Sequence, residues 1–381
     1  MKFLAQQLFG TYQYGAQGLS LYRLVYCMFV VLVMGLPSFA WLGPHLNYIF
    51  HPPAFSFAAL FRGFPGAGFF IAFTLVNLLS FFLMFIGWYT RWASLVFSGT
   101  YILLASFGFS FGKIDHGSLM YFTPLFMAFT GWERHFSVDD YLARRKDIWV
   151  PPVPSDSRSF ALALLALCLG FGFFTAGSIK IIGGWGQWHV EGVKYQLFQN
   201  YYTSGRTRFL ASHLMRINNH VFWKLMDYST LIFEVGFLPA AINARVFRVF
   251  LGTAVVFHLV VLLTFNISFA GNLLAYLPFA NWDKLSTQLL PAYSRLKKLF
   301  YGATLLLATA FLVFWLVSLA GNKYALEFRS LLKVMASAMR FTPFNHLIIH
   351  SLSVLLLFFL LLHTRMFNTM FRLFFIKSVA K

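Results

Sequence analysis

The chain has 381 residues, of which 59% are hydrophobic, 20% aromatic and only 11% charged. Soluble domains carry about a quarter charged residues, so this composition excludes an ordinary soluble fold and points to a multi-pass membrane protein. A net charge of +19 would suggest a nucleic-acid partner in a soluble chain. Beside membrane spans it is the expected gathering of basic residues near anionic lipid heads, and no nucleic acid is expected.

In chain order, helical spans are expected at about 19–42, 67–88, 93–112, 118–134, 159–182, 221–241, 246–265 and 268–281, then at about 299–320 and 344–364. Gly43-Pro44, Pro52-Pro53 and the cluster Pro151, Pro152 and Pro154 punctuate them. Two stretches, SVDDYLARRKDIWV and YQLFQNYYTSGRTRFLASHLM, mix apolar and basic residues without the length to cross, and read as interfacial helices. The predicted fold class is therefore all-α, a polytopic transmembrane bundle of about 8–10 spans with interfacial amphipathic helices. The start MKFLAQQLFGTYQYGAQG has no cleavable signal pattern, so the first span should drive insertion. Lys and Arg on alternate sides of ten spans, with Arg23 and Lys180 left inside, number seventeen against eleven. That bias predicts a cell (inner) membrane protein with both termini cytoplasmic. Cys27 and Cys168 each sit in an apolar run, with no CxxC or metal-ligand spacing, so neither a disulfide framework nor a metal site is expected.

An ionisable group inside a span costs about 2.5–3.5 kcal/mol on insertion scales and needs a partner, a wet cavity or an escape to the interface. The short list is Arg23, Lys180, Asp227, Glu234 and His258, with Lys113, Asp115 and His116 at a span junction. On the predicted topology most of them fall toward the outer side, where one cavity could gather a lysine, two histidines and several carboxylates. Each has a blander reading. Lys180 could snorkel, His116 could be interfacial, and Glu234 could pair structurally with Arg23 or Lys180. Asp227 and Lys224, near a span start, could simply be solvated, and His258 could be a satisfied core histidine. A lysine desolvated against apolar walls can be held as a neutral amine, which would make Lys180 a general base, with Glu234 fixing its position or relaying the proton. A phenylalanine-lined pocket would suit a flat aromatic such as a quinone.

The stretch Phe174-Thr175-Ala176-Gly177-Ser178-Ile179-Lys180-Ile181, followed by Trp185, resembles a motif of vitamin K-dependent gamma-carboxylase and its bacterial relatives, the horizontally transferred transmembrane (HTTM) domain proteins. Ser20-Leu21-Tyr22-Arg23, Gly87-Trp88-Tyr89-Thr90-Arg91, Asp115-His116-Gly117-Ser118, Phe136-Ser137-Val138-Asp139, Ile232-Phe233-Glu234 and Phe257-His258 resemble further family pieces in the same order. The resemblance covers about residues 18–282. It implies a gamma-carboxylase-like domain over 1–282 and a C-terminal extension over 283–381 with two further spans and a basic tail. The Asn three residues after the histidine in the carboxylase has no counterpart at that spacing, since Asn266 is eight residues on. About a hundred residues stand where the carboxylase has its lumenal domain.

By that likeness Lys180, His116 and Glu234 would be catalytic, and His258, Asp115, Trp185 and Asn266 would surround a vitamin K- or menaquinol-like quinol. The implied activity is quinol-coupled oxygenation or carboxylation, of the carbon-carbon lyase type. Membrane lipid, a secreted peptide or protein substrate, or another membrane subunit would be the partners. The rival expectation is a non-catalytic membrane accessory protein for export or maturation of a peptide. Within the chain, Ala176 and Gly177 are expected to let another helix approach closely, and Gly183-Gly184 to end the span just past Lys180.

Overall fold

The computed structural model describes residues 8–43, 47–111 and 117–287, with isolated positions at 302, 305, 306, 309 and 313. Lys113, Asp115, His116 and the two spans expected at about 299–320 and 344–364 lie outside the described residues, apart from those isolated positions. The fold is all-α, with no β-strand among the described residues. Among the described residues, five helical segments are long and apolar enough to cross a membrane: Ala16–Met34, Ala67–Ile86, Thr90–Phe111, Ser155–Ile182 and Ala244–Phe265. The chain is thus an integral-membrane protein by length and composition of its helices.

The helices are α1 (Ala16–Phe29, continued by a π turn Val30–Met34), α2 (Ala67–Ile86), α3 (Thr90–Gly108), α4 (Ser118–Met127) and α5 (Val138–Arg145). They continue as α6 (Ser155–Ile182), α7 (Gly192–Ser204), α8 (His220–Ala240), α9 (Ala244–Phe265) and α10 (Ala270–Tyr276), with one turn, Ala211–Leu214, ahead of α8. Three fall short of the sequence expectation, the eighth (268–281) being the seven-residue α10 followed by a 3-10 turn over Leu277–Phe279. The first span ends at Met34 rather than near 42, because Gly35 turns the chain at φ 75° and Pro37 follows. The fourth ends at Met127 rather than near 134, where turns take over and Gly131 adopts φ 77°.

These helices form two compact units. One contains Gln13–Leu162 and resumes at Asn281; the other contains Ala163–Ala280 with the end of Met1–Tyr12. In the first, α2 and α3 are tied by Asn77, whose amide donates to Phe97 O at 2.7 Å and Thr100 Oγ1 at 2.8 Å. Buried polar groups of this kind hold helices together where the apolar effect is weak between lipid-facing surfaces. Arg23, fully buried on α1, donates to Thr90 Oγ1 at 3.4 Å and to the Phe136 carbonyl. Asp139 in turn accepts from the backbone N–H groups of Tyr89 and Thr90, both at 2.9 Å, and from the Thr90 hydroxyl at 3.0 Å, capping the start of α3. Gly87, at φ 78°, leaves room for this knot: a Cβ there would lie 2.4 Å from Ser137 Cβ and 2.7 Å from Arg23 Nη1.

Three of the stretches that carried the family resemblance, at 20–23, 87–91 and 136–139, therefore meet in one hydrogen-bonded knot. The contacts just named close a helix end or give the buried arginine neutral oxygen acceptors, which is structural chemistry.

The second unit holds the remaining helices and the lysine that the sequence singled out. Gly170 and Gly177, seven apart and so on one stripe of α6, face α8. A Cβ on Gly170 would lie 3.0 Å from Leu238 Cα, and one on Gly177 would lie 3.0 Å from Glu234 Cβ. The close helix approach expected at Gly177 is present, one turn before Lys180.

Candidate functional site

Lys180 lies in the last turn of α6, where a cation opposes the negative end of the helix dipole. The helix stops in a Schellman motif: Trp185 N donates to Lys180 O at 3.1 Å, Gly184 N to Ile181 O at 3.0 Å, and Gly184 takes φ 82°. Such a turn brings the residue after the glycine back over the last helical turn. Here that residue is Trp185, and its ring sits 5.6 Å from Lys180 Nζ, within cation–π range. Gly183-Gly184 thus ends the span as expected, and the indole is delivered to the lysine by the backbone turn.

The ammonium is engaged within the protein. Nζ contacts both carboxylate oxygens of Glu234, at 2.7 and 2.6 Å. The Glu234 side chain is 6% exposed and that of Lys180 25%. The pair is covered on the glutamate side and open on the lysine side. Of the two structural partners considered for Glu234, Lys180 is the one found, while Arg23 is engaged elsewhere.

Below the pair runs a column of aromatic rings. Phe173, two turns before Lys180 on the same stripe of α6, stacks on Phe237 of α8 at 4.1 Å and 4°. It also stacks on His258 of α9 at 5.9 Å. The His258 ring lies against Phe269 at 4.5 Å and 14°, and its Nε2 shares a hydrogen bond of 2.8 Å with the Tyr276 hydroxyl. Which partner donates depends on the tautomer. His258 is therefore a buried histidine packed between rings of its own chain.

The other expected site residues have definite places. Asn266 caps α9 in the left-handed conformation, φ 56°. Its side chain accepts from Arg208 N at 2.8 Å and donates to Arg208 O at 2.9 Å, latching that strand of chain to the helix end. Besides covering Lys180, the Trp185 indole packs so tightly on Gly192 that a Cβ there would lie 2.2 Å from the ring. His116 and Asp115 lie outside the described residues.

A second charged group was not recognised as such from the sequence. Lys224 and Asp227, for which solvation near a span start was the blander alternative, are instead buried, at 1% and 0% exposure. The reason is the loop between α6 and α7, which folds over the start of α8. Lys224 Nζ donates to Trp185 O at 2.8 Å, Val190 O at 2.7 Å and Asp227 at 2.9 Å. Asp227 accepts from Gly192 N at 3.1 Å and Val193 N at 2.8 Å, capping α7 from another helix. A Lys and an Asp three apart within an otherwise apolar helix are neighbours on one face. That spacing is the signal that could have marked them as a pair.

Outside the helices of spanning length, Glu191 forms a cluster with Lys194 at 2.6 Å and His220 at 2.8 Å. The hydrogen bond from Lys194, followed by the one from His220, holds the Glu191 carboxyl below the usual carboxylate range. No group of three or more metal-binding side chains occurs among the described residues.

No family model, no curated protein and no solved structure matches this chain.

Proposed function

We propose that the protein receives a quinol-like, lipid-soluble aromatic at the end of α6 and that Lys180 and Glu234 together accept a proton from its hydroxyl. The observation that carries this reading is the two-pronged contact of the Lys180 ammonium with both oxygens of Glu234. The pair is neutral as a unit. Taking one proton brings it to +1 beside a quinolate of −1, so the reaction separates no charge over distance in a medium where that is costly. The proton reaches the carboxylate directly, or the lysine amine after transfer within the pair. Both routes end as ammonium, carboxylic acid and quinolate.

The lysine's open side gives a ligand access to the pair, and the indole of Trp185 offers a flat surface beside it. The ring column through Phe173 and His258 is an apolar, aromatic neighbourhood of the kind such a ligand prefers. The likeness to gamma-carboxylase-like HTTM proteins points the same way. With it come an oxygenation or carboxylation step on a secreted peptide or protein substrate, and roles for His116 and Asp115 near the quinol. On this reading α8 is a further span, its three charges all paired, and the Lys180 end faces outward from the cell (inner) membrane. The second reading, a non-catalytic accessory role in peptide export or maturation, is favoured by Asn266 and His258, whose polar contacts go to their own chain.

Quinol and quinone binding to the purified protein separates them. Lys180→Met should weaken quinol binding at least tenfold and leave quinone binding nearly unchanged. The double variant Lys180→Met/Glu234→Leu, which leaves no unpaired buried charge, should do the same. Quinol binding equal to wild type in the double variant contradicts the proposal and leaves the accessory role.

A further inference from the structure

Where α6 ends, α8 begins and α9 ends, acidic and basic groups cancel in pairs. Glu234 takes Lys180 at 2.6 Å, Asp227 takes Lys224 at 2.9 Å and Glu191 takes Lys194 at 2.6 Å. The segment 206–216 adds three arginines, Arg206, Arg208 and Arg216, and none of them has a carboxylate partner among the described residues. Arg208 and Arg216 are exposed, and Arg206 is half-buried with Nη1 on Asn200 Oδ1 at 3.2 Å.

The level of this segment is fixed by two ties to the end of α9. Asn266 holds both backbone groups of Arg208, and Leu210 N donates to Leu263 O at 3.0 Å. Because α9 is a helix of spanning length and composition, its end marks the boundary between hydrocarbon and head groups. Exposed Trp188, Tyr195 and Tyr202, at 59%, 70% and 71%, belong to the same end of the unit. Such aromatics are enriched where a bilayer meets water.

We infer that 206–216 is a docking surface for the phosphate-bearing head group of an anionic phospholipid. The guanidinium fork matches phosphate oxygens in pairs, which an ammonium does not. The three nearby lysines are committed to carboxylates, so the arginines supply the uncompensated charge. An acidic peptide would also meet that charge, but the aromatic rim and the ties to a span end favour lipid. This inference does not depend on the quinol reading.

The test compares phosphatidylglycerol with phosphatidylcholine on the purified full-length protein in detergent, by native mass spectrometry of bound lipid and by thermal stabilisation. Wild type should prefer phosphatidylglycerol, and the preference should fall as salt rises. With about fivefold expected per arginine near an anionic surface, Arg206→Gln/Arg208→Gln/Arg216→Gln should lose at least tenfold of it. Lys194→Gln, whose cation is already paired, should lose less than threefold. Arg208 and Arg216 are exposed and half-buried Arg206 gives up one side-chain hydrogen bond, so the triple variant should keep its helical circular dichroism. A folded triple variant with the wild-type preference overturns the inference. So does a wild type that binds oligoglutamate and does not discriminate between the two lipids.

Discussion

Gly192 shows how little freedom single residues have around the lysine. A methyl group there would lie 2.2 Å from the indole of Trp185, a residue whose backbone carbonyl accepts from Lys224 Nζ and whose ring lies 5.6 Å from Lys180 Nζ. Gly192→Ala should therefore destabilise the protein by about 1–3 kcal/mol, seen as a lowered thermal midpoint in detergent. Asp227 is a harsher case. Asp227→Asn keeps the shape but leaves the Lys224 ammonium buried without its counter-charge, and loss of a buried ion-pair partner costs about 3–5 kcal/mol. Glu191→Gln, at a solvent-facing cluster, should cost under about 1 kcal/mol by the same measurement. Glu191 should instead show itself in the pH profile. Its folded-state carboxyl is held below the usual range by Lys194 and His220, so the stability it contributes is present above the ordinary glutamate range and is lost as pH falls through and below about 4. In wild type, acid should loosen the start of α7, and Glu191→Gln should flatten that dependence.

At the scale of elements, the helices of spanning length were legible wherever apolar length and a glycine or proline boundary agreed. Residues 67–88 were expected and Ala67–Ile86 is found; 246–265 were expected and Ala244–Phe265 is found. Errors came where a local break overrode hydropathy, at Gly35 and after Met127. The site was legible in part. An unusual Lys180 and a mid-helix Glu234 were visible as costs that needed an explanation, and their pairing is the explanation. Hydropathy gave no warning that the loop after Gly184 would fold back and bury Lys224 and Asp227, because that depends on backbone carbonyls and amides rather than on side-chain type. Asn266, expected beside a cofactor, turned out to have both ends of its amide on the Arg208 backbone. Remote carboxylates that close helix starts form a recurring device: Asp139 at α3, Asp227 at α7, and Asp283, which accepts from Gly15 N at 2.8 Å, at α1. Asp139→Ala should free the start of α3 and the docked α5. Faster amide exchange over Val138–Arg145, with about 1–2 kcal/mol of stability lost, is the expected outcome.

For the whole molecule, α6 is the element that fixes topology, since its 28 residues are more than enough to cross a bilayer. Cysteines introduced at Asp147 and Trp188, one ahead of α6 and one after it, should react with a membrane-impermeant thiol reagent from opposite sides. Native Cys27 is buried and should stay silent. The positive-inside count further expects position 147 on the cytoplasmic side. Proton transfer from a membrane-soluble quinol to the Lys180–Glu234 pair is read out by the ultraviolet difference spectrum of quinol bound to purified protein at pH 7 with oxygen excluded. Wild type should show a quinolate band, and Lys180→Met/Glu234→Leu should lack it. A spectrum of undissociated quinol in wild type, or a quinolate band that survives in the double variant, contradicts that transfer.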